Sequence, residues 1–298
     1  MDSFSRGFAF LKQSWQMASA DRDLIKPSIY ALFAGFIVTL IFLLPMGVIS
    51  FAAGQNQVGE VLLFVVGAVM VFVHYVVSYI FSAMTIYLIY GFLSEGDGRM
   101  DKAWAVVRRD LLHIVALAAA STGVNLLKSL LSGRGRSGGR NFAAGLINTI
   151  WTEATYLVLP AMVIEDIGLG DGLKRATYIV KNNLLLVGVS TVGVRVVTGL
   201  IGFLLGGTGI ALGLGVGFGL VSVFQGDVLG WVSGVSLGVL IAGIFIIVAT
   251  VISSYTMTAY HTCLYLWARD VEKAKQQGQA GISISAPRPL AEVLGQVN

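Results

Sequence analysis

From Val61 to Leu93 the chain runs without a single Asp, Glu, Lys or Arg, and Pro27–Phe51 is equally free of charge. As helix, the longer run would measure ~50 Å, against a hydrocarbon core of ~30 Å. Lipid offers no partner for a backbone N–H or C=O, so a chain crosses it only as a helix or a closed barrel. Runs this long without strict alternation read as helices. Four more stretches qualify: Leu111–Leu131, Phe142–Ile164, Leu184–Leu205 and Val228–Trp267. Leu111–Leu131 is the weakest, since His113, Asn125 and Lys128 interrupt it. The expected fold is all-α: a polytopic transmembrane helical bundle of about six spans.

Composition agrees. Apolar residues make up 56% of the chain, charged residues 12%, and the mean hydropathy is +0.81. Soluble domains carry about 25% charged residues, so a soluble class is excluded. One cysteine, Cys263, excludes an internal disulfide. The first 26 residues mix Asp2, Asp21 and Asp23 with Arg6, Lys12, Arg22 and Lys26, which is not the pattern of a signal peptide.

A basic, amphipathic stretch precedes the apolar sequence in two clear copies, Asp101–Leu112 and Lys174–Leu185. They share Ala103/Ala176, Val106/Ile179, Val107/Val180, Arg108/Lys181, Leu111/Leu184 and Leu112/Leu185. A fainter copy is Ser5–Gln16. The pattern implies a three-fold internal repeat, each unit an amphipathic helix followed by a helical hairpin. The units are 1–93, 98–164 and 170–270 of one transmembrane domain, 1–270, and a polar tail follows at 271–298. Helical spacing sets the amphipathic faces as Phe4, Phe8, Leu11, Trp15; Trp104, Val107, Leu111; and Leu173, Ala176, Val180, Leu184. Asp101 and Asp171 are expected as N-caps. These helices are expected at the membrane interface, where Lys102, Arg108, Arg109, Lys174, Arg175 and Lys181 would face anionic headgroups of the lipid bilayer.

Lys and Arg near the N-terminus, in 94–110, in 165–183 and at the C-terminus number four, four, three and four, whereas 52–60 and 206–227 hold none. Positive-inside bias then places both termini in the cytoplasm of a cell whose inner, or plasma, membrane the chain crosses repeatedly. The loop Ser132–Asn141 disagrees, because Arg134, Arg136 and Arg140 would lie outside. Either the rule fails there or Leu111–Leu131 dips in and returns; the repeat favours crossing. The same loop holds a formal GxGxxG, which in an arginine-rich connector is close to chance.

His74, Glu153 and Arg195 fall near the middle of their spans. Charges at that depth must face the interior and find partners, and Glu153 with Arg195 is the obvious pair. One reading is a buried ion pair that fixes how two units dock; the other is a polar pathway or proton relay that includes His74. The first is preferred. On the last span Gly226, Gly230, Gly234 and Gly238 recur every four residues and Ala242 continues the row, a face that admits another helix closely. Its partner is a helix of the same chain, or of a second copy or another membrane protein. Upstream, Gly213, Gly215, Gly217 and Gly219 alternate with apolar residues, which is poor helix sequence and suggests a re-entrant or loosely ordered connection. His261 and Cys263 read as packing residues near the end of the last helix. The tail from Gln276 reads as flexible.

No motif for a hydrolytic zinc site, a nucleophile elbow or a phosphate loop occurs, and nothing implies a metal, cofactor or nucleic-acid partner. No catalytic residue is expected, and the chain is not expected to be an enzyme. The favoured role is structural or accessory, organising lipids or partner proteins. The alternative is a small transporter or channel at Glu153, Arg195 and His74.

Three blocks carry a resemblance: Ser14-Trp15 with Asp21-Arg22-Asp23-Leu24 and Pro27; Trp151 through Tyr156 with Pro160, Glu165 and Leu173-Lys174-Arg175-Ala176; and Ala259-Tyr260-His261 through Trp267-Ala268. They resemble a widespread prokaryotic family of multi-span proteins known only as a domain of unknown function. The chain is more distantly similar to the membrane domain attached to some glycerophosphodiester phosphodiesterases, whose catalytic domain has no counterpart here. The resemblance implies a polytopic membrane fold and transfers no activity.

Overall fold

Most apolar runs become single continuous helices. A computed structural model describes residues 3–52, 56–132, 138–182, 184–224, 227–278 and 285–293; the side chains of 130–150, 182–193 and a few terminal positions also lie outside that description. The elements are α1 (Ser3–Ala20), a 3-10 turn (Arg22–Leu24), α2 (Lys26–Ala52), α3 (Gln57–Glu95), α4 (Met100–Arg109), α5 (Leu111–Ser132), α6 (Gly138–Glu165), α7 (Leu169–Asn182), α8 (Leu184–Val223), α9 (Val228–Gln276) and α10 (Arg288–Val293). No strand occurs among the described residues.

Five helices are long and apolar enough to cross a membrane: Arg22–Ala52, Gln57–Glu95, Leu111–Ser129, Val194–Val223 and Val228–Ala274. The chain is therefore compatible with a membrane protein. The weak run Leu111–Leu131 is one of the five. The run Phe142–Ile164 lies on α6 and is not one of them, and the side chains of its first part lie outside the described residues. The arginine-rich loop at Arg134 and Arg136 also lies outside them.

Burial divides the molecule along its length. Phe36, Ile41 and Leu44 of α2 and Phe203, Val232 and Val239 of α8 and α9 stay exposed. At the other end Leu88 and Ile89 of α3, Val107 of α4, Ile114 of α5, Leu157 and Met162 of α6, and Tyr260 and Leu264 of α9 form one buried cluster. Apolar surface on this scale is untenable in water and ordinary in lipid.

The glycine-rich stretch is not a re-entrant connection, contrary to the sequence expectation. It continues α8 to Val223, packed along α9. Period-two glycine resolves into two interleaved rows. Gly209, Gly213 and Gly217 face α9, whereas Gly206, Gly207, Gly215 and Gly219 face open space. A Cβ on Gly234 would stand 2.5 Å from the Gly217 carbonyl oxygen, and one on Gly238 2.6 Å from that of Gly213. The four-residue row on α9 thus meets its partner within the same chain. Gly230 belongs to it, against Phe224 of α8; Gly226 lies outside the described residues.

The short helices α1 and α4 bury faces that differ in part from those expected, whereas α7 packs Leu173, Ala176 and Val180 on the core as expected. In α1, Phe10, Ser14, Met17 and Ala18 are buried, whereas Phe8 and Trp15 are exposed; the side chain of Phe4 is not described. In α4, Ala103, Val106 and Val107 are buried, whereas Trp104 and Leu111 are exposed. In α7, Ala176 is buried as expected, joined by Ile179. Asp101 and Asp171 are not caps. Arg99 is the N-cap of α4 and makes no side-chain cap bond; both aspartates sit inside first turns. There their charge still complements the helix dipole. The tail is not wholly loose either: Ala286, Leu290 and Ala291 are buried, and α10 packs on α1 and α9.

Candidate functional site

Polar residues recur at helical spacing on three long helices. On α3 they are Tyr75, Ser78, Tyr79 and Ser82; on α6, Thr152, Thr155 and Tyr156; on α9, Thr250, Ser253, Ser254, Thr258 and His261. Spacings of three and four place each set on one helix face. All three stripes line one cavity of about 570 Å³, closed further by Ser121 and Asn125 of α5 and by Gly202 and Gly206 of α8. Asn125, which weakened the α5 run as a span, therefore has a polar place to point.

Hydrogen bonds hold the wall. Ser121 is buried, and its Oγ accepts from Trp151 Nε1 at 2.9 Å and pairs with the Tyr79 hydroxyl at 2.7 Å. One serine thus ties α3, α5 and α6. Thr155 and Thr250 turn their hydroxyls back to their own helix, onto the carbonyls of Thr152 and Ile246. Such back-bonding satisfies a hydroxyl on an otherwise apolar helix.

An ionic group flanks the cavity. Arg195 of α8 forms an ion pair with Glu153 of α6. The other Glu153 oxygen, Oε2, lies 3.8 Å from Nε2 of His261. His261 is buried, and its ring stacks on Tyr156 with centroids 4.2 Å apart and planes within 9°. Its Nδ1 lies 2.7 Å from the Met257 carbonyl oxygen. That oxygen only accepts, so Nδ1 carries the proton. Nε2 is buried without a hydrogen-bond partner.

The structure thus brings Glu153 and Arg195 together and places His74 elsewhere. Nε2 of His74 lies 3.2 Å from Oγ1 of Thr39, whose hydroxyl donates to the Gly35 carbonyl at 3.0 Å. His74 therefore joins α3 to α2. The histidine beside Glu153 is His261, expected only as a packing residue near a helix end. Because α9 continues to Gln276, His261 sits ~22 Å from that end. The signal that could have found it is the polar stripe beginning at Thr250. Cys263 is fully buried.

Below the cavity a second ionic group fastens the short helices. Arg175 of α7 is held bidentately by Glu165 of α6 at 3.1–3.2 Å and also bonds Glu272 of α9. Partial burial opposes the charge on Arg175, but its hydrogen bonds to Glu165 and Glu272 outweigh this and hold it protonated well above the ordinary guanidinium range. Arg109 pairs with Asp110 at 2.8 Å and Asp166 at 3.1 Å. Lys102 pairs with Glu95, and Lys174 with Asp171. Arg108 lies over the Trp104 ring, and Lys181 is exposed. Of the six basic residues expected at headgroups, four are engaged by carboxylates of the chain.

A model described as a family of unknown function (DUF6159) matches residues 65–275. The chain belongs to this family. The matched segment contains every residue that lines the cavity, together with Glu153 and Arg195. The family match leaves the distant similarity to the phosphodiesterase membrane domain unshown. No curated protein matches the chain.

Proposed function

We propose that the chain is an integral membrane protein that admits a small polar solute to a water-filled cavity within its bundle, as a transporter or channel does. One observation carries the reading: the polar stripes of α3, α6 and α9 converge on a single cavity of about 570 Å³. Its size lies in the range of ligand sites, and polar side chains inside a membrane bundle mark solute pathways. A dry, tightly packed interior would have supported the accessory role that the sequence favours. In the proposed arrangement both termini face the cytoplasm of a plasma membrane. Three units of one short and two long helices then supply six crossings, with α6 as the sixth. Exposed cationic groups such as Lys181 meet anionic headgroups, and the chain needs neither cofactor nor metal.

Thiol accessibility tests this. Ser78→Cys and Ser254→Cys, in reconstituted protein, should react with a small charged thiol reagent that attacks only hydrated thiolate. Cys263 is buried and stays silent. Val248→Cys, on the exposed apolar surface of α9, should not react. Failure of both serine positions to react would overturn the water-filled cavity.

A further inference from the structure

We infer that a cleft at the ends of α3 and α9, apart from the cavity, binds a zwitterion with a phosphate and a primary ammonium two carbons apart, as in a phosphoethanolamine group. The cleft has a volume of about 430 Å³, and Ser94, Arg269, Asp270 and Ser285 supply its polar wall. Arg269 is its anchor. The side chain is 15% exposed and lies over the Tyr90 ring, 5.6 Å from the centroid. A guanidinium stays charged and carries donors only. Arg269 makes no hydrogen bond within the described residues, and its Nε is sealed from solvent. The two Nη groups are neither sealed nor bonded, so their protons are open to a ligand in the cleft.

The nearest carboxylate does not take them. Asp270 Oδ1 lies 3.6 Å from Nε, beyond hydrogen-bond reach, because neighbours one residue apart on a helix point in different directions. Asp270 is half-exposed and lines the same cleft. Glu272 and Lys273, the next charges on α9, do not line it, and Glu272 is taken by Arg175. A simple anion would be drawn by Arg269 and repelled by Asp270, and a simple cation the reverse. A zwitterion satisfies both. Its phosphate accepts from the Nη groups as a fork, and its ammonium donates to Asp270. Ser94 Oγ donates to the Tyr90 carbonyl at 2.7 Å and keeps its lone pairs for a second ammonium N–H. Position favours phosphate over carboxylate. Both helices are long and apolar enough to cross a membrane, and the cleft lies beside their ends with Phe92 and Leu266 as its apolar wall. Phosphate and ammonium groups of a bilayer stand at the ends of its spans.

Titration calorimetry on the purified chain in detergent reads the site. Glycerophosphoethanolamine is the soluble probe, and glycerol phosphate, ethanolamine and β-alanine are the controls. The probe should bind about tenfold more tightly than any control, the worth of one charge-assisted hydrogen bond. Arg269→Gln should abolish binding. Asp270→Asn should weaken the probe about tenfold and leave glycerol phosphate bound as tightly or more so. Because Asp270 is half-exposed, this variant keeps the test open if Arg269→Gln fails to fold. Nanodiscs with and without phosphatidylethanolamine separate two sources of the same group. Loss of probe binding only where that lipid is present assigns the site to a headgroup, and equal binding in both assigns it to a soluble compound; either supports the zwitterion. No probe binding in detergent, a control that binds as well as the probe, or tighter probe binding in Asp270→Asn overturns the inference.

Discussion

Asp21 Oδ2 accepts the backbone N–H of Gly98 at 2.7 Å, while its Oδ1 accepts that of Asp23 at 2.9 Å. One carboxylate therefore caps the turn between α1 and α2 and clamps it to the turn between α3 and α4. Leu24, in the same turn, is fully buried. The Asp21-Arg22-Asp23-Leu24 block thus has a structural explanation.

Asp21→Ala should destabilise the protein by about 2 kcal/mol, because both N–H groups lose a charged acceptor. Gly98→Ala should also destabilise. Its Cβ would meet Asp21 Oδ2 at 2.8 Å and the Leu88 carbonyl oxygen at 3.3 Å. Thermal unfolding in detergent reads both, and a wild-type midpoint in Asp21→Ala would refute the clamp.

Glycines inside the α8–α9 seam and glycines outside it should respond oppositely to alanine. Gly234→Ala places a methyl 2.5 Å from a carbonyl oxygen of α8 and must push the helices apart. A loss of about 2 kcal/mol or more is expected, in the range of overpacked cores. Gly215→Ala meets nothing within 4 Å. It should be neutral or stabilising by up to about 1 kcal/mol from helix propensity alone. Unfolding by a denaturing detergent compares the pair, and equal losses would contradict the register between α8 and α9.

Removing one member of the Glu153–Arg195 pair should cost more than removing both. Arg195→Gln leaves Glu153 without its cation; with 38% of the Arg195 side chain exposed, the loss should be about 1–3 kcal/mol, below that of a fully buried pair. Glu153→Gln with Arg195→Gln should recover part of it. A double-mutant cycle on unfolding midpoints measures the coupling, and additive losses would show that the ions do not act as a pair.

Leu290 is fully buried where α10 meets α1 and α9. Leu290→Asp should release the tail, which limited proteolysis would report as faster cleavage after Gln276. An unchanged cleavage rate would mean that the docked tail contributes nothing to protection.

Much of the helical inventory was legible without the fold. The charge-free runs at 27–51 and 61–93 are α2 and α3, because lipid-crossing chain must satisfy its backbone internally. The short basic stretches are helices too. The face that α7 buries was legible, those of α1 and α4 only in part, and the reason is physical. α1 carries apolar residues on its exposed side as well as its buried one, so periodicity alone picks out Phe8 and Trp15 as readily as Phe10 and Met17. The glycines of α8 misled for a related reason, since a period of two can hide two rows of period four.

The candidate site divides the same way. That Glu153 and Arg195 need partners follows from their depth in apolar sequence. Which histidine stands beside Glu153 could not follow, since His74 and His261 both occur in long apolar helices. Only packing places His74 on Thr39 and His261 on Tyr156. By itself the sequence determined the helices and the charges that must not meet lipid. Tertiary structure decided which stripes face one another, because the cavity belongs to no single helix and exists only where α3, α5, α6, α8 and α9 fail to close.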